Sequence, residues 1–199
     1  MPKLILASAS PRRRDLLEQI HVIPDMILPA DIDETPLVGE LPRQYALRIA
    51  RAKGDAIHSK KDVQNADHFI FSADTVVACG RRILPKTEDE KTARECLTLL
   101  SGRRHRVYGG ISLITPEGKC HNHCIQTVVQ FKRLDRTDID AYINTGEWHG
   151  KAGGYAIQGF AAAFISFVQG SYSNVVGLDL FKTAQLLKPY QMLKYYGAD

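Results

Sequence analysis

No apolar stretch in this chain of 199 residues is long enough to span a bilayer, so no membrane partner is expected. No signal peptide opens it: the chain runs straight into a short apolar segment, and a cytoplasmic protein with its four cysteines reduced is the expectation. A GxxxxGK[ST] loop is absent, which excludes the P-loop enzymes, and no GxSxG elbow is present to carry a serine nucleophile. Cys120-His121-Asn122-His123-Cys124 invites a zinc reading, but on a strand the cysteines face one way and the histidines the other, and no second Cys pair exists to complete a site. Neither sign of charge dominates: Lys+Arg number 26 against Asp+Glu 22, a formal net charge of +4. That balance permits a small anionic substrate. It lacks the broad basic stripe with interleaved aromatics that nucleic acid would require. There is no internal repeat, low-complexity tract or linker. With 44% hydrophobic and 24% charged residues, one globular domain over residues 1–199 is expected.

Against these absences stands one dense stretch, Ser8-Ala9-Ser10-Pro11-Arg12-Arg13-Arg14. The apolar run Leu4–Ala7 before it reads as a buried strand, and Asp15–Ile20 after it has helical apolar spacing. The stretch is therefore a strand-to-helix turn, with Ser10 as N-cap and Pro11 at the first helical position. Three arginines in a first turn are the wrong charge for a helix N-terminus, whose dipole and free N–H groups favour anions. Free N–H groups, a serine hydroxyl and arginine forks suit a phosphate. A solvated basic turn is the plainer alternative.

Further along, Met26–Leu28 reads as a short strand, and Asp31-Ile32-Asp33-Glu34 as an acidic loop between prolines. Leu41-Pro42 opens a helix to about Ser59 with Tyr45, Ile49, Ala56 and Ile57 on its apolar stripe. Lys53 falls on that stripe, where it either snorkels outward or reaches into a site. The helix's other basic residues, Arg43, Arg48 and Arg51, call for no role of their own. A polar loop over Lys60–Asp67 leads to the β-rich run His68–Cys79, which carries one carboxylate, Asp74, near its middle. Burying a carboxylate costs several kcal/mol unless it is paired or bound to a metal. A bulge that turns Asp74 toward a cleft, or a structural Asp bonded to backbone, would each resolve this.

The remaining elements follow from their punctuation. Gly80-Arg81 turns into a strand at Arg82–Leu84, ended by Pro85-Lys86-Thr87, and Glu88–Leu100 reads as a helix with Lys86 just before its start. Strands at His105–Ile114 and Lys119–Phe131 flank the turn Pro116-Glu117-Gly118. Asp135–Thr145 is a helix, Glu147–Gly159 a glycine-rich loop that lets backbone approach a ligand, Ala161–Val168 a strand, and Leu178–Leu187 the last helix. The polar exceptions to the core pattern are the carboxylates Glu34 and Asp74 and the cations Arg12, Arg13, Lys53 and Lys86. Carboxylates that hold Mg²⁺ beside cations that hold phosphate oxygens are what phosphoanhydride hydrolysis needs, with Asp74 able to take a proton from water.

At these residues the chain resembles the Maf family of nucleoside triphosphate pyrophosphatases. The resemblance rests on Leu6–Arg13, Asp33-Glu34-Thr35, Arg51-Ala52-Lys53, Ser72–Val77, Leu100-Ser101-Gly102, Gly150–Gly159 and Gly170–Leu178. It implies an elongated α/β fold, a mixed β-sheet flanked by helices with two lobes around a cleft, similar to the inosine triphosphate pyrophosphatases. It implies cleavage between the α and β phosphates, with Mg²⁺ or Mn²⁺, to a nucleoside monophosphate and pyrophosphate. Carried over by position, Asp74 is the proton acceptor and a metal ligand, Glu34 is a metal-associated carboxylate, and Ser8, Arg13, Lys53 and Lys86 hold phosphate. Arg12, Thr75 and Gln158 match the dTTP/UTP branch, where the 7-methyl-GTP branch typically has Trp, Gln and Glu. The resemblance also implies a homodimer. Ala9 replaces a frequent small residue, and Thr87 follows Lys86 where the family usually has proline. Two rival functions stay open: a nucleotide-binding regulator of cell division, and a pyrophosphatase for a purine triphosphate.

Overall fold

The computed structural model describes residues 3–60, 63 and 67–193. Strands β1 (Lys3–Leu6), β2 (Met26–Ile27), β3 (His68–Cys79), β4 (Arg82–Leu84), β6 (Arg104–Ile114), β7 (Cys120–Phe131) and β9 (Ile165–Gln169) share one mixed sheet. Its order is β2-β1-β3-β6-β7-β9, with β4 paired to β3. β1 is parallel to both β2 and β3, whereas β4 on β3 and β9 on β7 are antiparallel. β5 (Lys86–Thr87) and β8 (Lys151–Ala152) form a separate antiparallel pair. The helices are α1 (Pro11–Gln19), α2 (Pro42–His58), α3 (Glu90–Leu100), α4 (Arg136–Asn144), α5 (Tyr172–Val176) and α6 (Leu180–Leu187). Among the described residues, no helix is long and apolar enough to cross a membrane.

The chain divides into two compact units, residues 1–74, 109–125 and 177–199, and residues 75–108 and 126–176. In the first, Ile5, Ala7, Ile57, Val63, Ile70 and Ile114 form a buried cluster, with Cys120 against it. Helix α2 comes unusually close to the sheet there. A Cβ on Gly110 of β6 would lie 2.1 Å from the Ala46 carbonyl oxygen, so only glycine lets helix and strand backbones meet. The Ser72 hydroxyl of β3 donates to the Ala50 carbonyl at 2.6 Å, pinning the same helix from a second strand.

The second unit packs rings. Phe131 lies 4.9 Å from Tyr155 and 5.2 Å from His105, and Tyr142 lies 5.8 Å from Phe164, all tilted edge to face. The His105 ring nitrogen Nε2 shares a 2.7 Å hydrogen bond with the Tyr155 hydroxyl.

Most expected elements are present, with shifts of one to three residues at their ends. Two differ in kind. Phe160–Phe164 is a 3-10 turn, and the strand begins only at Ile165, because Gly159 starts the turn and the Ala162 amide closes it back onto the Gly159 carbonyl. Lys86 sits in β5 instead of immediately before α3, whose N-cap is Asp89; the Asp89 carboxylate accepts from the Thr92 amide at 2.8 Å. Most of the polar loop expected over Lys60–Asp67, residues 61, 62 and 64–66, lies outside the described residues.

Candidate active site

Successive side chains of a strand alternate faces, so Ser72 and Asp74 of β3 share one. Ser72 bonds α2, and Asp74 meets the same helix two residues on. Lys53 Nζ of α2 lies 2.8 Å from Asp74 Oδ1 and 2.7 Å from Glu34 Oε1. Lys53 is 7% exposed and Asp74 4%. The lysine on the apolar stripe thus reaches inward and bridges two carboxylates. This is how the strand tolerates a buried carboxylate: it continues through Asp74 to Cys79, and the ion pair with Lys53 meets the desolvation cost.

The turn after β1 supplies the second cation. Arg13, at 8% exposure, is no part of a solvated basic surface. Its Nη1 donates to Ser8 Oγ at 2.9 Å and its Nε to the Gly177 carbonyl at 3.0 Å. Burial lowers the Arg13 pKa, opposed by the Asp74 and Glu34 carboxylates, while Arg12 adds to the lowering. Arg12 is half-buried and is likewise shifted down by desolvation. Pro11 takes the first helical position as expected, but the Ser10 side chain makes no capping bond. Instead, the Ser10 amide donates to Ser8 Oγ at 3.3 Å, so one serine hydroxyl receives both a backbone N–H and a guanidinium.

Ser8, Arg13, Glu34, Lys53 and Asp74 therefore belong to one charged centre in the first unit. Of the other four expected residues, Arg12 adjoins Arg13 in the first unit, and three fall in the second. Thr75 is half-buried in β3, Gln158 is exposed in the turn before Phe160, and Lys86 is exposed in β5, opposite Ala152 of the glycine-rich loop. Thr87 accounts for its own departure from the family pattern. It is fully buried, and its hydroxyl donates to the Trp148 carbonyl at 2.5 Å and approaches the Lys151 carbonyl at 3.3 Å. The Gly150 amide returns a 2.8 Å bond to the Thr87 carbonyl. A proline there would have no hydroxyl with which to tie the loop.

Two residues escaped the sequence reading. The Tyr45 hydroxyl donates to the Glu34 carbonyl at 2.7 Å, and Arg48 Nη2 donates to the Thr35 carbonyl at 3.1 Å. Tyr45 passed as a core ring and Arg48 as surface charge, because only the fold brings the 31–40 loop across α2. Burial, with the nearby Asp74 and Glu34 charges, pushes the Tyr45 hydroxyl up to about 12, so it remains a donor.

Metal fit follows from the donor set. Mg²⁺ and Mn²⁺ take oxygen ligands, and Mg²⁺ usually binds one or two carboxylates plus substrate phosphates. Glu34 and Asp74 supply such a pair. No group of three or more His, Cys, Asp or Glu side chains among the described residues could form an all-protein cage. The residues thus fit a cation shared with a phosphate-bearing substrate. In the Cys120–Cys124 segment, Cys120 lies against the apolar cluster and 3.5 Å from Ser112 Oγ, while His121 bonds the Tyr190 hydroxyl at 3.1 Å.

Comparison with known proteins places the chain in a family. Among curated relatives, a dTTP/UTP pyrophosphatase of Paramagnetospirillum magneticum is 59% identical over 94% of this chain and 96% of its own length. One of Rhodospirillum rubrum is 57% identical over 92% and 86%, and one of a Chelativorans species is 56% identical over 93% and 90%. Among solved structures, a HAM1 protein from Coxiella burnetii shares the fold, with a TM-score of 0.50 at 14% identity over 95% of this chain and 100% of the other. The family model described as Maf-like protein matches residues 3–190, and this chain belongs to the Maf family.

Proposed function

We propose that this protein is a divalent-metal-dependent nucleoside triphosphate pyrophosphatase acting on dTTP and UTP, including modified pyrimidine nucleotides. The observation that carries the reading is the Lys53 ammonium held between the Glu34 and Asp74 carboxylates, in the same unit as the buried Arg13–Ser8 pair. The names of relatives at 54–59% identity support it, as do Arg12, Thr75 and Gln158 at the positions that mark the dTTP/UTP branch.

In this reading Arg13 and Lys53 hold phosphate oxygens. Their cost is already met, since each is desolvated and hydrogen-bonded before any nucleotide arrives. Ser8 fixes the Arg13 fork. Asp74 accepts the proton of the attacking water as the bond between the α and β phosphates breaks and pyrophosphate leaves. Glu34 and Asp74 would hold a Mg²⁺ or Mn²⁺ ion, which would supply positive charge to the phosphate oxygens.

Incubation with dTTP, UTP, 7-methyl-GTP and ITP in the presence of Mg²⁺ or Mn²⁺, with product identification, tests the reading. Pyrophosphate and monophosphate from dTTP and UTP are expected. Orthophosphate release rules the reaction out, and a preference for ITP moves the substrate to the purines. Asp74→Asn is expected to lower turnover by about 10² to 10⁴, the range of a lost general base, while remaining folded by circular dichroism. An active variant removes Asp74 from that role.

A further inference from the structure

Glu34 rides on exposed chain. Asp33, Thr35, Pro36, Leu37 and Val38 around it are all exposed. A carboxylate on such a loop would ordinarily sample many positions, yet Glu34 meets Lys53 at 2.7 Å. The restraint acts on main chain. Tyr45 and Arg48 lie one turn apart on α2, the helix that also carries Lys53. Between them they hold two consecutive carbonyls, those of Glu34 and Thr35. The Arg48 guanidinium is itself fixed: its Nε and Nη2 each lie 2.7 Å from an oxygen of Glu40, and it rests 5.4 Å from the centre of the Tyr45 ring. On the loop side, the Thr35 amide donates to Asp33 Oδ1 at 2.8 Å, closing a local turn around Glu34.

We propose that Tyr45 and Arg48 are positioning residues for Glu34: by clamping the Glu34 and Thr35 carbonyls to α2, they aim the Glu34 carboxylate at Lys53 and Asp74. The proposal builds on the assignment of Glu34 and Asp74 to the charged centre of a pyrophosphatase. One rigid helix then presents Lys53 to the carboxylate and holds the backbone from which that carboxylate hangs. Neither Tyr45 nor Arg48 contributes to the reaction directly. Their effect is to keep Glu34 from spreading over alternative geometries, as groups behind metal ligands do elsewhere.

Tyr45→Phe deletes one hydroxyl, and Arg48→Lys keeps the charge while losing the fork. Pyrophosphate release from dTTP is titrated with Mn²⁺ for both, with Glu34→Gln as reference. Each variant is expected to need about tenfold more Mn²⁺ for half-maximal rate, with kcat at saturating Mn²⁺ within about twofold of the parent. A Mn²⁺ requirement unchanged in both variants but raised in Glu34→Gln overturns the proposal. Independently of turnover, thermal stability is measured for Glu34→Gln in the parent and in the Tyr45→Phe background. The drop in Tm caused by Glu34→Gln is expected to shrink by at least half once the hydroxyl is gone, and strictly additive drops also overturn the proposal. Should the parent release no pyrophosphate, or should Glu34→Gln leave the Mn²⁺ requirement unmoved, the pyrophosphatase assignment fails on its own, and the stability cycle decides the clamp.

Discussion

The two units bury different chemistry. In the first, the buried polar side chains include four with formal charge, Arg13, Lys53, Asp74 and Asp179. In the second, they are Thr87, His105, Thr127 and Asn174, and burial pulls His105 down to about 4, so it is neutral at pH 7. Buried charge is costly and survives only with a partner, whereas a neutral hydroxyl, amide or imidazole needs only hydrogen bonds. Asp179 illustrates the structural use of charge, as the N-cap of α6 that accepts from the Lys182 amide. Arg13, Lys53 and Asp74 cap no helix: Arg13 bonds Ser8 Oγ and the Gly177 carbonyl, and Lys53 and Asp74 bond each other. A scaffold that needed only stability would have used neutral groups there, as the second unit does. The first unit buries charges paired with one another, and the second buries neutral groups that need only hydrogen bonds.

The comparison is broken most severely at Lys53. Lys53→Met leaves Asp74 buried without its ammonium partner and should cost about 3–5 kcal/mol in denaturant unfolding, the loss typical of a severed buried pair. Adding Asp74→Asn should restore much of that stability without activity, since the stranded charge is then gone. Equal stability for the single and double variants would show that the pair is not the unit of cost.

In the second unit the corresponding lever is pH. His105 titrates near 6.5 when unfolded and about 4 when folded, so between those values the unfolded chain binds the extra proton. Its contribution is fully present above pH 6.5 and is lost as pH falls toward 4, up to about 3 kcal/mol in all. His105→Gln should therefore flatten the acid limb of a stability–pH curve relative to the parent, and identical slopes would remove His105 from it. The smallest effect is expected at Thr87. Thr87→Val strips the hydroxyl from the part-buried Trp148 and Lys151 carbonyls and should cost about 1 kcal/mol in urea unfolding. A neutral result would mean that β5 and β8 hold the glycine-rich loop without it.

These same residues show what sequence reading can and cannot reach. Lys53 was legible because a lysine on an apolar helical stripe breaks a period, and Asp74 because a carboxylate interrupts a β-rich run. The β1–turn–α1 sequence declared itself through Ser10, Pro11 and the arginines. That Arg13 is buried and Arg14 exposed was not visible, since adjacent arginines differ only once the Gly177 carbonyl is folded against one of them. Tyr45 and Arg48 broke no period, and their partners are backbone carbonyls of a loop, to which residue identity gives no clue. The strand expected from Ala161 began late for a related reason. Phe160–Phe164 is apolar enough for either state, and Gly159 at its start admits a 3-10 turn that composition does not distinguish from a strand.

The meeting of β6 and α2 at Gly110 has a consequence for how this protein can change over time. Because the helix meets a bare backbone there, its height above the sheet at that point is set by two main chains in contact, with no side chain of position 110 between them. A single methyl at position 110 would have to lift the whole helix by roughly an ångström, a displacement on the order of what costs a catalytic arrangement 10² in rate. The accuracy of the charged centre is in that sense stored in an atom the chain does not have.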